Sequence, residues 1–290
     1  MIAGNSKARE SAVPASCYFR LHRPREPSIK AVRMTRFPPF GYVMGSAGDT
    51  SLSVKEGRVG RKRAMTGKQI FDDWPERYDR WFDTPLGKAV LKQESELILD
   101  LLRPGRGEQI LDAGSGTGIF TREFLARGAD VVGLDISYAM LRRAADKNAV
   151  FARRVVTADM AHLPFGDCAF DKTVSVTAIE FIADARRAVA ELFRVTKRGG
   201  VIVVATLNSL SPWALRRREN ARHDSESVFN RVIFRSPEEL LAAAPVAGIC
   251  RTAVHFGKED PPAAWERIER EGQGQGGETG AFIAARWEKR

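Results

Sequence analysis

The sequence predicts an α/β fold, a mainly parallel sheet with helices on both faces. Short apolar stretches alternate with segments of helical periodicity over most of the chain, and such alternation requires crossover connections between parallel strands. At the first strand-to-helix junction stands Asp112-Ala113-Gly114-Ser115-Gly116-Thr117-Gly118. Its alternate glycines permit a sharp turn and let a ligand approach the main chain with no Cβ in the way. Ligands of such sheets bind at the carboxyl ends of the strands.

The elements follow in order. Residues 1–64 lack both periodicities, carry scattered Pro and Ser, and are expected to be a disordered basic extension. A basic arm for nucleic acid or anionic lipid, a targeting segment and a translation start placed too early all account for it. The last is favoured, because organised sequence begins just after Met65. Residues 65–290 form the expected folded domain, led by a helical segment over 65–105, where Leu97, Ile98, Leu101 and Leu102 share one face and Pro104-Gly105 ends the helix. Gln109 to Asp112 is a short buried strand, and Ile119, Phe120, Phe124 and Leu125 mark a helix closed by Arg127-Gly128. Asp130 to Asp135 is the next strand, with Ser137 as N-cap of a helix carrying Met140, Leu141, Ala144 and Ala145. Strands are expected at Arg153 to Thr157, Phe170 to Val176 and Val201 to Ala205, with a helix over Ala185 to Val195. Ser236-Pro237-Glu238-Glu239 has the pattern of an N-cap and first helical turn. Cys250 to Phe256 and Ala281 to Trp287 complete the strands.

Composition narrows the function classes. The 290 residues include 46 basic and 36 acidic side chains, a net charge of +10 that invites a nucleic-acid reading. Its location argues otherwise: Met1 to Ala64 holds 13 basic and 4 acidic residues, which leaves 33 and 32 for the remainder. The body is nearly neutral. Cys17, Cys168 and Cys250 are scattered without metal-ligand spacing, so neither a disulfide framework nor a zinc site is signalled. No apolar run approaches the length needed to span a bilayer. A cytoplasmic, soluble protein is the expectation.

Three carboxylates carry the chemistry. In a dinucleotide site of the Gly-x-Gly-x-x-Gly type the third glycine comes one residue later, where this chain has Ile119, and Asp112 would face two phosphate charges. A ligand bearing an amino group or a positive charge suits Asp112 better. Asp135, 21 residues after Gly114, can accept two hydrogen bonds from a ribose diol. Asp159 follows the next strand and can accept from an adenine amino group.

On these residues the sequence resembles the class I S-adenosylmethionine-dependent methyltransferases, in particular the type 11-like small-molecule group, over roughly Gly67 to Arg290. The resemblance implies a Rossmann-like class I methyltransferase fold with a seven-stranded, mainly parallel sheet, and S-adenosyl-L-methionine as cofactor. It implies that Asp112, Gly114, Ser115, Gly116, Thr117 and Gly118 hold the methionine portion and Asp135 the ribose. It places Ile136 beside the adenine and Asp159 with Met160 at its edge. Thr177 then faces the methionine moiety, and Tyr78 closes over the cofactor. Met140 is expected to touch it too. Other roles stay open for several of these: Met140 and Met160 suit core filling, Asp159 a loop cap, and Tyr78 packing.

The expected reaction is methyl transfer to a small-molecule acceptor. Glu180, His162 and His223 are candidate bases by position, with none assigned. The longest stretch outside the scaffold, Asn208 to Arg235, is expected to cover the acceptor pocket, with Arg216, Arg217 and Arg218 favouring an anionic acceptor. An NAD-dependent oxidoreductase, an RNA-directed methyltransferase and a noncatalytic cofactor-binding subunit are the rival readings.

Overall fold

In the computed structural model the described residues are Arg33–Arg36, Tyr42–Gly45 and 68–290. Strands β1 (Arg33–Arg36) and β2 (Tyr42–Gly45) pair antiparallel, at positions where periodicity predicted no element. The rest of the segment 1–64, and with it the expected disorder, lies outside the described residues.

Helices α1 (Pro75–Asp83) and α2 (Pro85–Leu102) meet at Thr84, whose Oγ1 accepts from the Gly87 amide at 3.0 Å and caps α2. Their backbones cross so closely there that a Cβ on Gly87 would lie 2.0 Å from the Trp81 carbonyl oxygen. The predicted face of Leu97, Ile98, Leu101 and Leu102 is buried. From here strands and helices alternate: β3 (Gln109–Ala113), α3 (Thr121–Ala126), β4 (Asp130–Asp135), α4 (Tyr138–Lys147), β5 (Val155–Thr157), β6 (Phe170–Val176), α5 (Ala185–Val195) and β7 (Thr196–Leu207). Ser137 caps α4 as expected. The expected strand from Arg153 starts two residues later, because Phe151–Arg153 closes a 3-10 turn first.

After β7 come α6 (Pro212–Arg222), α7 (Pro237–Leu241), β8 (Ile249–Ala253), α8 (Trp265–Gly274) and β9 (Phe282–Glu288). Ser236 and Glu239 form a reciprocal capping box at α7. Helix α6 was not predicted as an element: its buried residues Trp213, Ala214 and Ala221 make no stripe. Strand β7 begins five residues before the expected Val201. Its glycine pair lies inside the strand as an irregularity, with Gly199 at φ 76°.

The seven strands run in the order β5-β4-β3-β6-β7-β9-β8. All pairs from β5 to β7 are parallel, and β9 runs against both neighbours. Alternate strand residues feed two cores. Ile110, Val174 and Val203 meet Leu102, Phe124 and Leu141 on one face. Leu111, Ile202 and Val204 meet Val189 and Leu192 of α5 and Leu240 of α7 on the other. From β3 the chain winds outward to β4 and β5 and then crosses back to β6. The gap between the carboxyl ends of β3 and β6 is therefore the topological switch point, where such folds open a crevice.

Candidate active site

A cavity with about 1020 Å³ of empty space, counting the part open to solvent, occupies that crevice. Its position follows from the loop after β3. The amides of Gly114 and Ser115 both donate to the Leu134 carbonyl, at 2.6 and 2.9 Å, which folds the loop over β4. Gly114 sits at φ 83°, and a Cβ there would lie 2.2 Å from the Ala178 Cβ. Only glycine meets both conditions.

Tyr78, Asp112, Gly114, Ser115, Gly116, Asp135, Ile136, Met140, Asp159, Met160 and Thr177 all line this cavity. Thr117 and Gly118 do not. The Gly118 amide donates to the Ser115 carbonyl, and this turn carries both residues to the far side, beside α4. There the Thr117 hydroxyl donates to Asp79 at 2.7 Å, and Gly118 packs toward Ala144 and Phe151. Ser115 contributes its backbone, since its Oγ is buried near Gly133 without a partner.

The three carboxylates differ in setting. Asp135 accepts from the Gly116 amide through Oδ2 at 2.9 Å and from the Ser137 amide through Oδ1 at 2.8 Å. Burial raises its pKa, against the lowering effect of these amides. Asp112 accepts from the Thr121 hydroxyl at 2.6 Å, and burial pushes it up to about 7. Asp159 is half-exposed: it caps the 3-10 turn Met160–His162 through Ala161 and contacts His162 at 3.1 Å. The cap role left open by the sequence is thus present together with a place on the cavity wall.

Thr177 lies at φ 48°, a strained conformation for a β-branched residue, fixed by donation of its amide to Ala205 at 3.0 Å. Burial raises the pKa of the nearby Tyr78 phenol well above the usual tyrosine value, against a smaller lowering influence of the Thr177 side chain. Tyr78 therefore stays protonated. The cover over the cavity comes from Gln69, Ile70 and Phe71, which sequence reasoning did not single out. Asp72 fastens this segment, accepting from the Ser137 hydroxyl at 2.7 Å and from the Gln69 amide at 2.8 Å. Phe71 meets Phe181 edge-on, with ring centroids 4.8 Å apart, and both line the cavity. A second fastening is Asp79 of α1, which takes Thr117, Arg143 and Lys147 together.

None of the candidate bases lines the cavity. His162 is held between Asp159 and Arg187, and His223 lies exposed beside Glu219. Glu180 is buried beneath the wall, accepts from Thr206 at 3.0 Å, and is raised by burial to about 7. Its turn is held by Arg235, which donates to the carbonyls of Ile179 and Ile182. No residue of Asn208 to Arg235 lines the cavity, so that stretch is no wall of it.

The lining contains three aspartates and, among the described residues, no Lys, Arg or His. That donor set fits a cationic, hydrogen-bonding ligand and repels a pyrophosphate. A family model described as "Methyltransferase domain" matches residues 111–204, the span from β3 into β7 that builds this crevice. A malonyl-[acyl-carrier protein] O-methyltransferase of Serratia marcescens is 30% identical over 192 residues, 59% of this chain and 74% of that protein.

This chain belongs to the S-adenosylmethionine-dependent methyltransferases. A demethylmenaquinone methyltransferase of Thermobifida fusca is 40% identical over 144 residues, 49% of this chain and 61% of the relative. In fold, a SAM-dependent methyltransferase from Thermotoga maritima matches with a TM-score of 0.60 at 24% identity, covering 76% of this chain and 99% of the other. The cofactor of this methyltransferase is S-adenosylmethionine, and the oxidoreductase reading falls. The cradle of Gly114 and Gly116 and the carboxylates above it fit that group. Among the described residues no helix is long and apolar enough to cross a membrane, and no group of His, Cys, Asp or Glu could hold a metal ion.

Proposed function

We propose that this methyltransferase acts on a small, largely apolar acceptor that enters at the Phe71–Phe181 end of the cavity. The observation that carries the reading is the segregation of the lining. Asp112, Asp135 and Asp159 lie at the ends of β3, β4 and β5, whereas Ile70, Phe71, Phe120, Phe181 and Ile182 supply apolar walls. Two relatives are named for chemically different acceptors, demethylmenaquinone and a malonyl group on acyl-carrier protein.

S-adenosylmethionine supplies a methyl group already activated on a sulfonium sulfur. The protein's work is then to orient and to exclude water. In this proposal Asp135 receives the ribose hydroxyls on the lone pairs its two amide partners leave free. Asp112 faces the amino and sulfonium charges, and Asp159 with Met160 borders the adenine. Ile136 and Met140 pack beside it. Thr177 and the neutral Tyr78 phenol fix the wall nearest the transfer, and the Gln69–Phe71 cover keeps water out. Tyr78 is the one titratable residue of the lining besides the aspartates, so no general base is assigned.

A methyl-labelled S-adenosylmethionine screen against a metabolite extract tests this. Label is expected in small molecules that partition into organic solvent. Label recovered only in protein or nucleic acid would overturn the acceptor class while leaving methyl transfer intact.

A further inference from the structure

A second depression lies on α6, apart from the cavity lining. Trp213, Arg216, Arg217 and Asn220 recur at i, i+3, i+4 and i+7, so the helix turns all four to one side, and Lys258 joins them from the loop after β8. Trp213 forms the floor: it is buried, its indole Nε1 donates to the Phe256 carbonyl at 2.8 Å, and its ring is fixed in place. Two cations gather over that ring, the Arg217 guanidinium carbon at 5.1 Å from its centroid and the Lys258 Nζ at 5.6 Å. Arg217 also lies 5.1 Å from the Phe229 centroid, held between two aromatic faces.

Three positive side chains line this depression and no acidic one does. Arg216 has a carboxylate partner, Glu259 at 2.6 Å on its exposed side. Arg217 and Lys258 have none within 4.0 Å among the described residues, although Glu94 and Glu180 influence Arg217 through space and Glu259 influences Lys258. Like charges brought together over one ring repel. Consistent with this, desolvation and the charges of Arg217 and Arg216 hold the Lys258 ammonium below its ordinary value.

We propose that this depression is an oxyanion site, taking a phosphate or carboxylate group between Arg216, Arg217 and Lys258, with the Asn220 amide as a further donor. Guanidinium and ammonium groups that line one depression satisfy such a group by charge-assisted hydrogen bonds. The site is separate from the methyl-transfer cavity and does not depend on the acceptor assigned to that cavity.

Inorganic phosphate is the probe, titrated into the full chain at constant ionic strength made up with chloride, with the Trp213 indole N–H resonance as readout. Phosphate is expected to shift that resonance saturably. The double variant Arg216→Gln/Lys258→Gln, both positions exposed, is expected to bind at least tenfold more weakly. Arg218→Gln is the control, on the same helix but facing the Phe234 ring at 4.9 Å, and is expected to bind as the parent does. Lys258→Arg, which keeps the charge, is expected to retain binding and excludes a general loss of fold as the cause. Glycerol 3-phosphate binding more tightly than inorganic phosphate would mark a group carried on a larger ligand, and equal affinity a free anion; either supports an oxyanion site. Shifts equal to those from chloride alone, or binding by the double variant within twofold of the parent, would overturn it.

Discussion

The cavity at the β3–β6 switch point and the depression on α6 carry opposite charge. The first presents three aspartates and no cation; the second presents two arginines and a lysine and no acid. Yet they differ in how the charge is held. Asp135 is fixed through both oxygens by backbone amides of the loop and of the α4 start, so its position is set by the strand ends themselves. Arg217 lies between two aromatic faces, with the buried Glu94 and Glu180 charges acting on it through space and no hydrogen bond that fixes its direction among the described residues. The scaffold builds one site, and side chains of an added helix build the other. A fold reproduces the first wherever it recurs, while the second belongs to this sequence.

The largest effect that can break this contrast is at Asp135. Asp135→Ala removes the acceptor for the ribose and is expected to weaken S-adenosylmethionine binding by about 1.5–3 kcal/mol, the usual cost of hydrogen bonds to a charged group. By titration calorimetry that is on the order of 10- to 150-fold. An unchanged dissociation constant would show that the strand ends do not hold the cofactor.

Asp112 gives the next effect. Its carboxyl is raised to about 7 and must be ionised to face a cation. Binding is therefore expected to weaken as pH falls below about 7, by up to roughly tenfold per pH unit, with a proton released on binding. Asp112→Asn should abolish the slope. Affinity that stays level from pH 8 to pH 6 would sever Asp112 from the charged end of the ligand.

A smaller effect concerns stability. Glu94 of α2 is buried, and burial pushes it up to about 8, with the Arg217 charge opposing that rise and the Glu180 charge adding to it. A carboxyl raised in the folded state stabilises the fold at low pH, and that contribution is lost as pH rises from the unfolded value near 4 through about 8. Glu94→Gln is thus expected to raise Tm at pH 9 and to leave it nearly unchanged at pH 5. A variant less stable at pH 9 would mean that the ionised form is needed as a counter-charge to Arg217.

The smallest effects test independence. Arg216→Gln and Arg218→Gln should change S-adenosylmethionine affinity by less than twofold, since neither lines the cavity. We further propose that residues 65–290 suffice for the methyltransferase unit, so that removal of residues 1–64 leaves Tm and turnover as they were. A change in either measurement would give that segment a structural role.

Much of the cavity was legible in the sequence because its residues stand at strand ends, and strand ends are marked by where a period of two stops. Asp112, Asp135 and Asp159 were located in this way, and Gly114 by the turn it must make. Thr117 and Gly118 belong to the same motif but leave the cavity, since one turn of backbone rotates them toward α4. Asp72 and Asp79, which fasten the cover, were not legible. Their partners lie 65 and 38 residues away, and nothing local distinguishes them from solvated acids. Helix α6 was missed for a related reason: an apolar stripe is the signal of a packed helix, and α6 presents a cationic one instead.

The sequence by itself determined the alternation of strands and helices from β3 to β7, the parallel sheet they imply and the three carboxylates at its edge, because each rests on periodicity or on a local conformational demand. Only the tertiary structure decided which of those residues face one another. It turned Glu180 and His162 away from the cavity, closed the cavity with Phe71 and Phe181, and gathered Arg216, Arg217 and Lys258 over Trp213. Such meetings depend on packing between distant segments, and distance along the chain carries no record of them.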